Sequence, residues 1–296
     1  MKRNTKITIL GAGKFGTALH TVLAKGGVNV CAWDICDGPN VERDLKKALS
    51  FSTNVIIAVA TQHVRNVCQA IQNKEHTLST CWIASKGFEK ETGWLMSDVI
   101  NHFFPSCTIG ILSGPNIAKD MEQGWPCGLT LASLSPDLLC DCRTWWTHTP
   151  IILDETDDIW GVQAMGGLKN IIAIGYGLLE QHCPSANMHA TYLSLAMQES
   201  AKIIRDLGGK TETLSCFAGW ADVMVSCAKG RNRQFGLNFP QPYSERAEGV
   251  DTLFALSKKI GHQWHQYPLC QCIFNVISGH QSAEAVYQYF LKQPIS

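Results

Sequence analysis

Apolar positions along this chain follow two rhythms, one in each half. In the first half, short β-branched runs recur between helical stretches: Ile7–Leu10, Val28–Trp33, Asn54–Ala60, Cys81–Ser85 and Thr108–Leu112. Gly128–Ala132 and Pro150–Leu153 can supply final strands. These runs lack polar alternation, as parallel strands covered on both faces require. Helix formers occupy Thr17–Ala24 and Gln62–Gln72 between them. Near Asp154–Asp158 the alternation stops, and the remaining pattern is helical over Gly161–Leu179, Ser185–Leu207, a shorter segment through Gly219–Cys227, Val250–Lys259, Leu269–Ser278 and Ala283–Lys292. The expected fold class is α/β, with a mostly parallel sheet over residues 1–155 and an all-helical domain over 156–296.

Gly161–Leu179 is apolar on every helical face, and Lys169, followed by Asn170, is its one formal charge. Such a helix belongs in a core or a membrane. A central lysine argues against a span, costing about 3 kcal/mol on insertion scales. Glycines at 161, 166, 167, 175 and 177 each cost about 1 kcal/mol against alanine in a helix, so other backbone must pack against them closely. A lysine dried in this way has its charged form disfavoured, which lowers its pKa toward a useful base. The alternative is that its stem snorkels the ammonium to a flank of the helix.

The first strand runs into Gly11-Ala12-Gly13-Lys14-Phe15-Gly16 and then a helix. Strand, G-x-G-x-x-G, helix is the Rossmann context, in which glycines let a pyrophosphate approach the positive helix N-terminus. The second strand ends in Asp34, where a carboxylate can accept from an adenosine ribose and repel a 2′-phosphate; it can equally be a turn residue. Lys86-Gly87 and the loop Ser113-Gly114-Pro115-Asn116-Ile117-Ala118 lie at carboxyl ends of later strands, where ligands of open α/β sheets bind. Asp222 and Ser226, spaced i, i+4, share one helical face. Directly after comes Lys229-Gly230-Arg231-Asn232-Arg233, read as a basic loop whose guanidinium fork matches phosphate geometry.

The bulk numbers narrow the partners. With 25 basic and 25 acidic residues in 296, neither nucleic acid nor an anionic membrane is implied. Thirteen cysteines are an odd number without zinc spacing, so no disulfide framework and no metal site are expected. The N-terminus passes from charges straight into a strand, which points to a cytoplasmic protein.

The motifs GAGKFGTAL, SKG, SGPNIA, GGLKN, ADVMVSCAKGRNRQFG and AEG, in this order, resemble the NAD(P)-dependent sn-glycerol-3-phosphate dehydrogenases, and YPLCQCIF does so too. The likeness runs from about Ile7 to Leu291. It implies a Rossmann domain and a helical domain with substrate between them, and reversible hydride transfer between dihydroxyacetone phosphate and glycerol 3-phosphate. NAD is the implied cofactor, with NADP possible, and a homodimer the implied assembly. Lys169 would be the acid/base, Asp222 its orienting partner, and Lys86 a contact to substrate and cofactor. Gly114, Asn116, Asn170 and Ser226 would line the substrate site, while Gly230, Arg231 and Asn232 hold the phosphate. Gly11, Gly13, Lys14, Phe15, Gly16, Asp34, Ala118, Arg231 and Glu248 would face the cofactor.

This chain departs from that pattern in several places. The segment between Asp34 and Asn54 is markedly shorter than in the family, and the usual Ser/Thr-Arg pair after the core helix reads Ser194-Leu195. Phe15 stands where tryptophan is common. Lys14, where serine is common, could attract a 2′-phosphate and blur the preference argued from Asp34. Two other readings remain at this level: a related β-hydroxyacid-type dehydrogenase on another small substrate, or a non-catalytic NAD(P)-binding regulatory module. The basic GRNR cluster argues against the first. The joint presence of Lys86, Lys169, Asp222, Arg231 and Asn232 argues against the second.

Overall fold

A computed structural model describes residues 5–292; Met1–Asn4 and the last four positions of the C-terminal span lie outside the described residues. The strands are β1 (Lys6–Leu10), β2 (Asn29–Trp33), β3 (Val41–Glu42), β4 (Asn54–Ile57), β5 (Thr80–Ile83), β6 (Thr108–Ser113), β7 (Cys127–Ser133) and β8 (Ile151–Thr156). Among the described residues they form one sheet in the order β3-β2-β1-β4-β5-β6-β7-β8, with only the β6–β7 pair antiparallel. The helices of this half are α1 (Lys14–Lys25), α2 (Leu45–Phe51), α3 (Val64–Gln72), α4 (Met96–Phe103), α5 (Ala118–Glu122) and α6 (Pro136–Arg143). Successive strand residues feed opposite cores. Ile7, Ile9, Ile56 and Trp82 pack with α1 and α6, whereas Leu10, Val55, Ile57, Cys81 and Ile83 pack with α2, α3 and α4. This two-sided burial is why the strands read as unbroken apolar runs.

The strand expected over Asn54–Ala60 stops at Ile57. The reason is local. A Cβ on Gly11, at φ +111°, would lie 2.7 Å from the Val59 nitrogen, so the backbone at Ala58–Ala60 turns along the glycine loop instead of extending the ladder. At the other edge, β8 runs to Thr156, beyond the expected Leu153.

The second half comprises α7 (Ile159–His182), α8 (Ala186–Asp206), α9 (Asp222–Lys229), α10 (Arg231–Asn238), α11 (Glu248–Ile260), α12 (Pro268–Ile277) and α13 (Ala285–Leu291). Asp158 caps α7 through the Gly161 amide at 2.9 Å. Most of α7 is buried, and its aliphatic residues from Ala164 to Leu179 anchor a core shared with α8, α11 and α12. Of its five expected glycines Gly177 meets another backbone, a Cβ there lying 2.2 Å from the Arg233 carbonyl, and a Cβ on Gly236 of α10 would lie 2.1 Å from the Ile174 carbonyl. Gly161, Gly167 and Gly175 are crowded by side chains, and Gly166 has only ordinary contacts. The α7 and α10 backbones therefore touch. Burial of these aliphatic side chains contributes about 1.5–3 kcal/mol each before entropy is subtracted. No helix among the described residues is long and apolar enough to cross a membrane.

Candidate functional site

The carboxyl ends of the parallel strands and the inner face of the helical half enclose a cleft of about 760 Å³. Buried Asp222, the first residue of α9, lies at its floor. The short helical segment expected over Gly219–Cys227 is kinked at its start. Gly219 takes non-helical angles (φ −89°, ψ −116°) and kinks the chain inside Phe217–Ala221, a wide π-type turn that runs directly into α9. Packing forces the kink: a Cβ on Gly219 would sit 2.2 Å from the Leu214 carbonyl. Asp222 thereby faces both halves of the molecule. Its Oδ1 accepts from Lys169 Nζ at 2.5 Å, and its Oδ2 from Lys86 Nζ at 2.8 Å.

The two lysines differ in their surroundings. Lys86 leaves the end of β5, its carbonyl accepting from Thr61 Oγ1 at 2.7 Å. Its ammonium also donates to the Gly114 carbonyl at 3.1 Å and, at 3.5 Å, to Asn116 Oδ1. All three protons are engaged. Burial lowers its pKa from 10.5 to about 8; Asp222 pulls the other way and the Lys169 charge adds to the lowering. Lys169 Nζ donates to Asp222, and Lys169 lines the cleft.

Behind the lysines lie buried polar atoms without protein partners: Ser113 Oγ, Asn116 Nδ2 and Asn170 Nδ2. Asn116 and Asn170 line the cleft, where a polar ligand would give their amides a partner. Asn232 is differently placed. Its Nδ2 donates to Asn170 Oδ1 and its Oδ1 accepts from the Gly249 amide, each at 2.9 Å, tying α10 to α7 and to the start of α11.

The basic run read as a loop is a helix start. Gly230 is the N-cap of α10, without a side-chain cap, and Arg231 is its first residue. The Arg231 guanidinium is half exposed, 3.7–3.9 Å from Glu248 and Glu245, too far for a tight pair. Arg233 does not join it, being held by Glu180 at 2.6 Å. Ser226, on the Asp222 face of α9 as its spacing required, lines the same wall with Gly230 and Glu248.

On the sheet side, Gly13, Lys14, Phe15 and Ala118 line the cleft. Gly13 is the N-cap of α1, again with no side-chain cap, and a Cβ there would meet nothing within 4 Å. This open helix end fits a dinucleotide pyrophosphate. Gly11 and Gly16 are packed behind it, a Cβ on Gly16 falling 1.8 Å from the Gly11 carbonyl. Asp34 stands beyond the cleft lining; its Oδ2 accepts from the Ala12 amide at 2.7 Å and its Oδ1 from the Cys36 amide at 3.0 Å. It therefore braces the glycine loop as well as ending β2. Gly114 meets the site through its carbonyl, where the sequence suggested its amide. Thr61, Lys119 and Val225, which also line the cleft, were not anticipated. A hydroxyl acting on a distant carbonyl leaves no spacing to read. No group of three or more His, Cys, Asp or Glu among the described residues could hold a metal ion.

Two family models match. NAD-dependent glycerol-3-phosphate dehydrogenase N-terminus covers residues 35–139, and the C-terminus model of the same name covers 158–288. The chain is similar to glycerol-3-phosphate dehydrogenase [NAD(P)+] of Shewanella sp. (strain W3-18-1), 31% identical over 317 residues, covering 94% of this chain and 93% of the relative. The protein of that description from Clostridium perfringens (strain SM101 / Type A) is 30% identical over 258 residues, covering 79% and 78%. The fold is shared with the crystal structure of glycerol-3-phosphate dehydrogenase from Coxiella burnetii, at TM-score 0.88 and 24% identity, over 98% of this chain and 99% of that one.

Proposed function

Because this chain belongs to the NAD(P)-dependent glycerol-3-phosphate dehydrogenase family, we propose that it interconverts dihydroxyacetone phosphate and sn-glycerol 3-phosphate with Lys169 as the acid/base. The observation that carries this reading is the carboxylate of Asp222 held between Lys86 and Lys169, one lysine from each half. A nicotinamide bound in the cleft supplies or takes the hydride at C2. Lys169 gives a proton to the C2 oxygen during reduction and removes it during oxidation, using the donor positions that Asp222 leaves open. Lys86, with its protons committed, contributes positive charge beside that oxygen rather than a proton. Asp222 aims both amines and balances their charge.

Phosphate recognition falls to the uncapped start of α10 and to the Arg231 fork, with Asn170 Nδ2 as a neutral donor. Asn232 holds that start in place. Binding the non-reacting phosphate there orients C2 against the cofactor, so that remote binding lowers the barrier. Gly13 and the start of α1 would receive the pyrophosphate, while Glu248 and Ala118 stand beside its path. The same reading divides the chain near residue 155, where β8 gives way to α7. The assay is NADH oxidation with dihydroxyacetone phosphate, run beside NADPH. Turnover that requires the phosphorylated ketone supports the reading. Equal turnover of unphosphorylated dihydroxyacetone, or none with either, defeats it.

A further inference from the structure

The chain carries no net charge, with 25 basic and 25 acidic residues, yet its cleft is strongly cationic. Lys14, Lys86, Lys119, Lys169, Lys229 and Arg231 line it, against Asp222 and Glu248. Four of the six cations have work in the scheme above: Lys86 and Lys169 on Asp222, Arg231 near the α10 start, and Lys14 at the α1 start. Lys119 and Lys229 have none. Lys119 projects from α5 at the strand ends, and Lys229 closes α9 in the helical half, so the pair comes from opposite walls. Both are exposed, and neither makes a salt bridge among the described residues. The neighbouring acids Asp120 and Glu122 do not line the cleft.

Two unpaired ammonium groups facing one low-dielectric opening focus field lines into it and raise the local concentration of anions. We propose that Lys119 and Lys229 form a cationic gate that captures the phosphorylated substrate electrostatically before Arg231 and the α10 start seat it. This rests on the reading of the cleft as a phosphoester site and adds how that ester is drawn in. The gate makes the capture step salt-sensitive, because exposed charges are screened over about 10 Å at 0.1 M salt and about 3 Å at 1 M. It leaves chemistry to the lysines on Asp222.

The test measures kcat and kcat/KM for dihydroxyacetone phosphate against ionic strength, at saturating NADH, for the wild type and for the double variant Lys119→Gln, Lys229→Gln. At low salt, kcat/KM of the variant should fall about tenfold, the lower end of electrostatic steering, with the loss in kcat/KM rather than kcat. The salt slope should flatten, and the two proteins should converge near 1 M. Lys119→Arg, Lys229→Arg should restore the wild-type slope. The cofactor's phosphates are the other possible anion, so the same series is run on NADH at saturating ketone. Parallel slopes for wild type and Gln variant overturn the gate. So does a change confined to the NADH series, or failure of the Arg variant to restore. A wild type that does not turn over dihydroxyacetone phosphate at any salt overturns the functional reading, and the gate with it.

Discussion

Two helices with glycine at the N-cap open onto this cleft, α1 from the sheet half and α10 from the helical half, and they are built alike. Each has glycine at the N-cap, no side-chain cap and no acid in its first turn. Elsewhere Asp44 caps α2, Ser135 caps α6, Asp158 caps α7 and Ser185 caps α8, while α3, α12 and α13 also lack a side-chain cap but have no glycine at that position. Glycine at an N-cap costs only a few tenths of a kcal/mol against a capping side chain, so leaving α1 and α10 open forgoes little stability. What it gains is free amide hydrogens and an unopposed helix dipole for anions. The two ends differ in one respect. Gly13 stands in open space, whereas a Cβ on Gly230 would sit 2.3 Å from the Ser226 carbonyl. On the proposed reading the first glycine leaves room for a ligand, while the second is also required by the tight α9–α10 corner.

If both ends only bind and the middle does the chemistry, the largest loss comes from the middle. Lys169→Ala should lower kcat by about 10²–10⁴, the usual worth of positioned acid/base catalysis, while NADH still quenches tryptophan fluorescence at the wild-type concentration. Near-normal turnover would remove Lys169 from proton transfer. Next in size, Arg231→Ala should raise KM for dihydroxyacetone phosphate about 10–100-fold, as loss of a charge-assisted hydrogen bond worth about 1.5–3 kcal/mol requires. A KM that stays put would mean the α10 amides suffice. Smaller again, Gly13→Ala should weaken NADH on the order of tenfold, about 1.4 kcal/mol, because a methyl there blocks pyrophosphate approach. Its thermal midpoint should hold, since nothing in the protein lies within 4 Å of that methyl. A lowered midpoint with unchanged NADH affinity would reverse the contrast between the two glycines.

How far the sequence discloses this arrangement depends on the range of the interaction. Lys169 stands out because one charge in an apolar helix is a local anomaly. The glycine loop stands out because strand, motif and helix are consecutive. Asp222 and Ser226 share a face by spacing alone. By contrast, the α10 start looks like a loop, since Arg231, Asn232 and Arg233 are ordinary loop residues; it becomes helical by packing Gly236 onto the α7 backbone. Sequence also points to Lys169 as the lysine that burial would lower. The lowering at Lys86 has no local signature, because its burial depends on Gly114, Asn116 and Asp222 arriving from other elements. Lys119 facing Lys229 has no trace in the chain, as the two are far apart until the halves meet.

Those halves meet again on Asp222, and there the finest contrast can be tested without any substrate. Lys86 is lowered from 10.5 to about 8 by burial. Below pH 8 it is protonated folded and unfolded alike, so the folded state bears the whole cost of the buried charge. Between about 8 and 10.5 the unfolded chain keeps the proton and the folded chain sheds it, so the unfolded state binds more protons and stability rises with pH from this group. Above 10.5 the contribution levels off. Urea unfolding of the wild type and of Lys86→Met, at pH 7, 9 and 10.5, isolates this effect because titrations common to both proteins cancel. The wild-type stability minus that of the variant should increase across the window. A difference that stays flat or decreases would mean that Asp222 holds Lys86 charged through this range.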